Sequence, residues 1–203
     1  MQQLLCLLTA LCCAAPVPAM AQLVVESYLA ELQPHLSRDE HGFSACGVRA
    51  MVMVKAGKSV ELHDFSVVLQ ADSDFAVLKA GRWLTSSSEV NAGQLPRQAD
   101  PRAPIKFWVA EASEGRPLAA LNISPSSSPG FILGTADFEH GLKTLLAAVT
   151  GKRMQFLSRN TEDAVDRIFA FKSGLKSEDQ ATLISCMQGI VERKVQTRSS
   201  ANP

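Results

Sequence analysis

Charge of one sign is the first thing this sequence lacks. Its 20 Lys and Arg residues balance 20 Asp and Glu. Such a chain has no electrostatic footprint for nucleic acid or for an anionic membrane face. No apolar run reaches the ~20 residues that a membrane-spanning helix needs, so no transmembrane segment is expected in the mature chain. Metal-ligand spacing is missing too. His35, His41, His63 and His140 form neither H-x-H nor H-E-x-x-H. There is no G-x-S-x-G elbow, and Ser126 to Ser128 lie between Pro125 and Pro129 rather than at a strand-to-helix turn. Nothing resembles a glycine loop for phosphate. No motif names a reaction, and no cofactor is expected.

What is there begins at the N-terminus. Leu4 to Ala15 holds only Leu, Cys, Ala and one Thr, Pro16-Val17-Pro18 breaks the run, and Ala19-Met20-Ala21 follows. An apolar stretch of about a dozen residues, a break and an A-x-A site make the layout of a cleavable secretory signal. It departs from the pattern in having no Lys or Arg ahead of the apolar stretch. Residues 1–21 are therefore expected to leave, giving a mature chain from Gln22 that is periplasmic or secreted. Residues 22–191 are long enough for one globular domain with its own core and short for two. The polar residues 192–203 are expected to form a fraying tail.

Cleavage changes the cysteine count. Cys6, Cys12 and Cys13 go with the leader, and Cys46 and Cys186 remain. Two cysteines in an oxidising compartment most simply pair with each other, two separate buried thiols being the alternative. Neither belongs to a C-x-x-C pair.

Along the mature chain, Val25, Tyr28, Leu29 and Leu32 stand at helical spacing before Pro34, which predicts a short N-terminal helix. Strict alternation then predicts strands. Cys46, Val48, Ala50, Val52 and Val54 share one face of the first, and Phe65, Val67 and Leu69 one face of the second. Phe75 to Ala80 is a third, extendable through Trp83 and Leu84. Ile105 to Glu111 is expected to pair with Leu118 to Ile123. Asp137 is placed to cap a helix whose apolar face is Phe138, Leu142, Leu145, Leu146 and Val149, with Gly151 past its end. Met154 to Leu157 and Arg167 to Phe171 are the last strands. Ser177 and Gln180 have capping-box spacing before a final helix that buries Leu183, Ile184, Met187, Ile190 and Val191 beside Cys186.

Three polar clusters hold residue types that can carry chemistry. His63 and Asp64 are neighbours in a strand, so they point to opposite faces and do not make a dyad. Asp137, Glu139 and His140 cluster at the start of a helix, where the two acidic residues are accounted for by the positive end of its dipole. Asp72-Ser73-Asp74 has D-x-D spacing without the rest of a calcium loop and reads as a turn. Residues 85–104 form the longest aperiodic segment, either a connector or a partner site. Arg82, Trp83, Arg97 and Arg102 are its candidate partner-binding residues, since Trp and Arg often anchor interfaces.

From Gly130 to Ile190 the order of elements resembles the invasion-associated locus B family of exported bacterial proteins. The resemblance rests on the strand Phe131-Ile132-Leu133-Gly134, the helix from Leu142 to Val149 ending in Gly151-Lys152, and the strand from Met154 to Leu157. A further strand, the Ser173-Gly174-Leu175 turn and the last helix complete it. A cysteine pair that this family tends to carry before the first helix is replaced here by Thr135-Ala136-Asp137. The resemblance implies a periplasmic β-sandwich without a known catalytic centre, and carries over no site residues.

The fold class expected is α+β: a mainly antiparallel sheet or sandwich, with the short N-terminal helix and two helices of the C-terminal third packed on it. The function expected is that of an exported envelope protein, binding a protein or cell-wall partner without catalysis. The alternative is a periplasmic hydrolase with a scattered site. A hydrolase would gather His63, His140, acidic residues or a serine at one concavity. A binder would show a projecting loop or an exposed apolar patch.

Overall fold

Alternating sequence over long stretches is what builds this protein, and most of its described residues are in strands. The computed structural model describes residues 22–25, 28–88, 100–112, 117–161 and 165–200. In chain order the elements are β1 (Gln22–Val24), β2 (Leu29–Asp39), β3 (Gly42–Ala56), β4 (Ser59–Gln70), β5 (Phe75–Ser86) and β6 (Asp100–Pro101). They continue as β7 (Lys106–Glu111), β8 (Leu118–Ala119), β9 (Leu121–Pro125), β10 (Phe131–Asp137), α1 (Phe138–Val149), β11 (Arg153–Arg159), β12 (Asp166–Lys172) and α2 (Ser177–Ser200). The larger sheet has the order β2-β3-β4-β5-β10-β9, with β6 added to β5, and the smaller has the order β1-β12-β11-β7-β8. All pairs but β1 with β12 are antiparallel. The α+β class is as expected.

The larger sheet is a meander whose hairpins follow from its turns. Gly57 supplies φ +64° between β3 and β4, a left-handed conformation that glycine adopts without steric cost. The alternation expected in β3 and β4 is realised. Cys46, Val48, Ala50 and Val52 are buried on one side, and Phe65, Val67 and Leu69 continue that side on β4. The smaller sheet closes over one end of this inner face. There Phe65 meets Phe156 with ring centroids 5.6 Å apart, and Phe169 lies 4.7 Å from the His63 ring. Each fully buried phenylalanine contributes about 1.5–3 kcal/mol relative to exposure.

The two described helices cover the other end. The Asp137 side chain accepts a hydrogen bond from the His140 N–H at 2.7 Å and so starts α1. Its buried face is Gly141, Thr144, Leu145, Ala147, Ala148 and Val149, rotated from the expected one, and Leu146 is 44% exposed. The reason is close approach: a Cβ on Gly141 would lie 2.5 Å from Ala76 Cβ, so only small residues fit against β5. On α2, Leu183, Cys186, Met187 and Ile190 are buried, while Ile184 is 40% exposed. Cys46 and Cys186 form the expected disulfide, with Cα atoms 5.9 Å apart. It ties β3 to α2 across a separation of 140 residues.

Four expectations are corrected. The N-terminal helix is absent from the described residues 28–39, where β2 pairs with β3 from Leu29↔Met53 to Asp39↔Gly42. Continuous pairing with a neighbouring strand overrides an accidental helical spacing. The segment after β7 does not form one hairpin partner. β8 pairs with β7, and beyond Ala120 the chain crosses to the larger sheet as β9 beside β10. The capping box is not made: the Gln180 backbone N–H donates to the Lys176 carbonyl at 2.9 Å and its Nε2 to the Leu175 carbonyl at 2.9 Å. The residues after Val191, expected as a polar tail, are helical: α2 runs to Ser200. Arg193 pairs with Asp39 at 3.2 Å and Lys194 with Asp74 at 3.0 Å, which holds the added turns against the sheet.

Candidate functional site

Parity along β4 places Glu61 and His63 on the same inner side as Phe65. His63 stands opposite Arg82 on β5, whose side chain also turns inward. From the smaller sheet Arg167 reaches across the interior and donates through Nη1 to Glu61 Oε2. His63 Nε2 lies 3.1 Å from the same oxygen, and Arg82 Nη2 lies 3.4 Å from Oε1. Because a carboxylate only accepts, Nε2 of His63 carries the proton. Burial alone would push the Glu61 carboxyl up. The His63 hydrogen bond and the Arg167 and Arg82 charges outweigh it and hold the group at about 2. Burial pushes the His63 imidazole down from its ordinary value, the contact with Glu61 opposes this, and the two guanidiniums add to it. With side-chain exposures of 1% for His63 and 9% for Glu61, the group is closed to substrate. It acts as an inter-sheet brace. The sequence held a signal for it, because Glu61 and His63 share the parity of Phe65, Val67 and Leu69.

The opposite face of the larger sheet has no helix or second sheet over it among the described residues. Register alone lines up Leu29, Met53, Leu62, Trp83 and Pro101 as one cross-strand row from β2 to β6. The next row is Glu31, Met51, Asp64, Gly81 and Phe131. A Cβ on Gly81 would lie 2.4 Å from the Phe131 ring, so glycine lets that ring lie flat on the sheet. There it meets Trp83 edge-on at 4.7 Å between centroids, with Lys79 Nζ 4.2 Å above it. Arg49 Nε donates to Asp64 at 2.9 Å and borders the apolar rows with a charged pair. Together Leu29, Met51, Met53, Leu62 and Trp83, with Arg49 and Asp64, line a concavity of about 490 Å³. Leu29 at its rim is 68% exposed.

The four candidate partner-binding residues are separated by this geometry. Trp83 faces the open side. Arg102 is half-buried beside it, its Nε donating to Asp100 at 2.7 Å and its backbone N–H to the Arg82 carbonyl. Arg82 is a correction: it is 4% exposed and points into the brace, because adjacent residues of a strand face opposite ways. Arg97 lies outside the described residues. Sequence reasoning missed Met51, Met53 and Leu62, whose alignment with Trp83 depends on pairing register and is not visible in any one strand.

The remaining polar clusters do not converge. His140 sits by a second concavity of about 400 Å³ at the start of α1, with Glu111, Asp137, Glu139 and Lys143. Asp137 caps the helix, Glu139 pairs with Lys143 at 2.8 Å and Glu111 with Lys152 at 2.8 Å. The Asp72-Ser73-Asp74 turn is held by Lys194. Among the described residues, no three His, Cys, Asp or Glu side chains are placed to share a metal ion. No helix among them is long and apolar enough to cross a membrane. Comparison of the chain with profiles of known families, with curated proteins and with solved structures finds no match.

Proposed function

We propose that this is an exported cell-envelope protein, cleaved before Gln22, that works by binding a partner protein on the open face of its larger sheet. The observation that carries the reading is the apolar cross-strand row of Leu29, Met53, Leu62 and Trp83, bordered by Arg49–Asp64, on a face that no described helix or second sheet covers. Contiguous apolar surface rimmed by polar groups is what protein interfaces present. A cell-wall glycan would ask for more hydrogen-bonding groups than these rows offer, so a protein is the better match. The Cys46–Cys186 disulfide suits an oxidising compartment. Catalysis is the weaker reading, because His63 is enclosed and His140 belongs to a different concavity. Kinship with the invasion-associated locus B family is part of this proposal, resting on the order β10, α1, β11, β12, α2.

The test is a pull-down from envelope extract with tagged mature protein, alongside Met51→Glu and Leu62→Glu. Both substitutions sit on the open face, and circular dichroism checks that the variants fold. The expected result is one or more proteins held by the wild type and released by both variants. Folded variants that retain every protein held by the wild type would overturn the reading, as would a wild type that holds none.

A further inference from the structure

The strand β2 ends the larger sheet, and its second side has no strand partner among the described residues. Pro34 lies in its middle, within an unbroken register from Leu29 to Ser37. Proline has no N–H, so its place in the ladder is one whose N–H side is turned away from β3. Residues two apart in a strand turn their backbone groups the same way. Ala30 and Leu32 therefore present an N–H and a C=O each at the bare edge, and Pro34 adds a C=O.

This edge is not open to bulk solvent on all sides. A cleft of about 310 Å³ runs along it, with residues Ala30 to Pro34 as one wall and Phe171, Lys172, Lys176 and Asp179 on the other. Ala30 and Glu31 also line the open-face concavity, so the two hollows meet on this strand. Lys172 and Lys176 are exposed and make no ion pair among the described residues. Two carboxylates also line the cleft: Glu31, which accepts from Gln33 Nε2 at 2.9 Å, and Asp179.

We propose that the partner contributes a short extended segment that adds to the edge of β2 between Leu29 and Gln33, its side chains alternating apolar and acidic. The inference rests on the binding reading above and names the form of its ligand. Main-chain bonds to Ala30 and Leu32 supply the attachment, as in other strand-addition sites. Alternate side chains of an added strand fall on opposite faces. One set lies beside Leu29, Glu31 and Gln33, and at Leu29 it lengthens the row of Leu29, Met53, Leu62 and Trp83, which calls for an apolar residue there. The other set enters the cleft towards Lys172 and Lys176, which calls for carboxylates. Full-length pairing between two copies of β2 is opposed by Pro34, which blunts the edge past Gln33.

The probe is a fluorescein-labelled peptide of alternating Val and Glu, read by fluorescence anisotropy against the mature protein. Controls are a Val/Lys peptide and a Val/Glu peptide with a central Pro. The Val/Glu peptide should bind saturably, and the Val/Lys peptide about tenfold or more weakly, because like charges then face Lys172 and Lys176. The Pro peptide should also bind weakly. Ala30→Pro removes one outward N–H without touching the ladder to β3 and should abolish binding. Reversing both lysines with Lys172→Glu and Lys176→Glu should move the preference to the Val/Lys peptide. Hydrogen exchange should slow at Ala30 and Leu32 on binding. Absence of binding, equal binding of all three peptides, or full binding by a folded Ala30→Pro protein overturns the proposal. A doubled mass on light scattering, with Ala30 and Leu32 protected before peptide is added, overturns it in favour of a second copy. If Ala30→Pro still captures the envelope partner that Met51→Glu loses, the edge proposal fails and the open-face reading stands.

Discussion

Acidification should weaken this protein through His63, and the size of the effect follows from where that ring sits. It is 1% exposed, between Phe65 and Phe169, with Glu61, Arg82 and Arg167 as the charged groups around it. Burial holds its pKa below the ordinary value, so the folded protein keeps it neutral where the unfolded chain already takes a proton, below about 6.5. The unfolded state then binds more protons than the folded one, and stability falls as pH falls. One proton corresponds to about 1.4 kcal/mol per pH unit at most, until the folded ring also protonates. Above about 6.5 neither state holds the proton and the effect vanishes. Glu61 behaves differently. Its carboxyl stands at about 2 in the fold, so its contribution is present above its ordinary value of 4.5 and is lost only as pH falls below that. The interval between the two ordinary values therefore isolates His63. Substituting His63→Gln keeps a donor for Glu61 and removes the titration. Urea unfolding of both proteins over this interval gives stability at each pH. The wild type should lose up to about 1.4 kcal/mol per pH unit relative to the variant. Parallel curves would refute the assignment of His63 as a buried neutral ring.

Four further outcomes are expected. Cys46→Ser should cost about 2–5 kcal/mol in urea unfolding, and thiol titration of the denatured, non-reduced mature protein should find no free thiol at Cys46 or Cys186. Glu61→Gln removes the negative charge shared by His63, Arg82 and Arg167 and should cost about 3–5 kcal/mol by the same measurement, with a negligible change arguing against the brace. Gly47→Ala would bring a Cβ to 2.2 Å from the Val67 carbonyl oxygen. Because that neighbour is backbone, β3 and β4 must part there, a strain of about 1–3 kcal/mol that thermal unfolding would detect. Intact mass of protein from a periplasmic fraction should begin at Gln22, and an uncleaved form starting at Met1 in the cytoplasm would refute export.

Legibility from sequence tracked how local the deciding interaction is. The strands β3 and β4 were readable because their alternation is long and each buries one face. The cap at Asp137 was readable because it is settled within one turn. The disulfide could be expected because, with residues 1–21 read as a leader, Cys46 and Cys186 are the two cysteines left to pair. Misreadings arose where a distant partner decides. Val25, Tyr28, Leu29 and Leu32 have helical spacing, yet Tyr28 donates its hydroxyl to the Ala170 carbonyl at 2.6 Å and Leu32 pairs with Ala50. The crossing of the chain at Ala120 between the two sheets has no local mark. The open-face site lies in the same class, because Met53, Leu62 and Trp83 become one row only when three strands take their register.

The two faces of the larger sheet can be separated by what folding requires of them. On the inner face, the disulfide fastens β3 to α2 at one end, and Glu61 with Arg167 fastens β4 to β12 at the other. Between these ties lies a continuous apolar core. Every large side chain there has a folding reason to be apolar. On the open face no described helix or second sheet supplies that reason. Alternation lets a sheet face put polar residues towards water, and Arg49, Ser66 and Lys79 do so in the row beyond Met51. The row through Leu29, Met53, Leu62 and Trp83 does not, although polar residues there would leave the inner core unchanged. An apolar row with Leu29 exposed and Met53, Leu62 and Trp83 half-buried favours self-association, a tendency that Pro34 at the adjacent edge opposes. The binding function proposed above would account for both features, the apolar row as the contact and Pro34 as the limit on pairing at its edge.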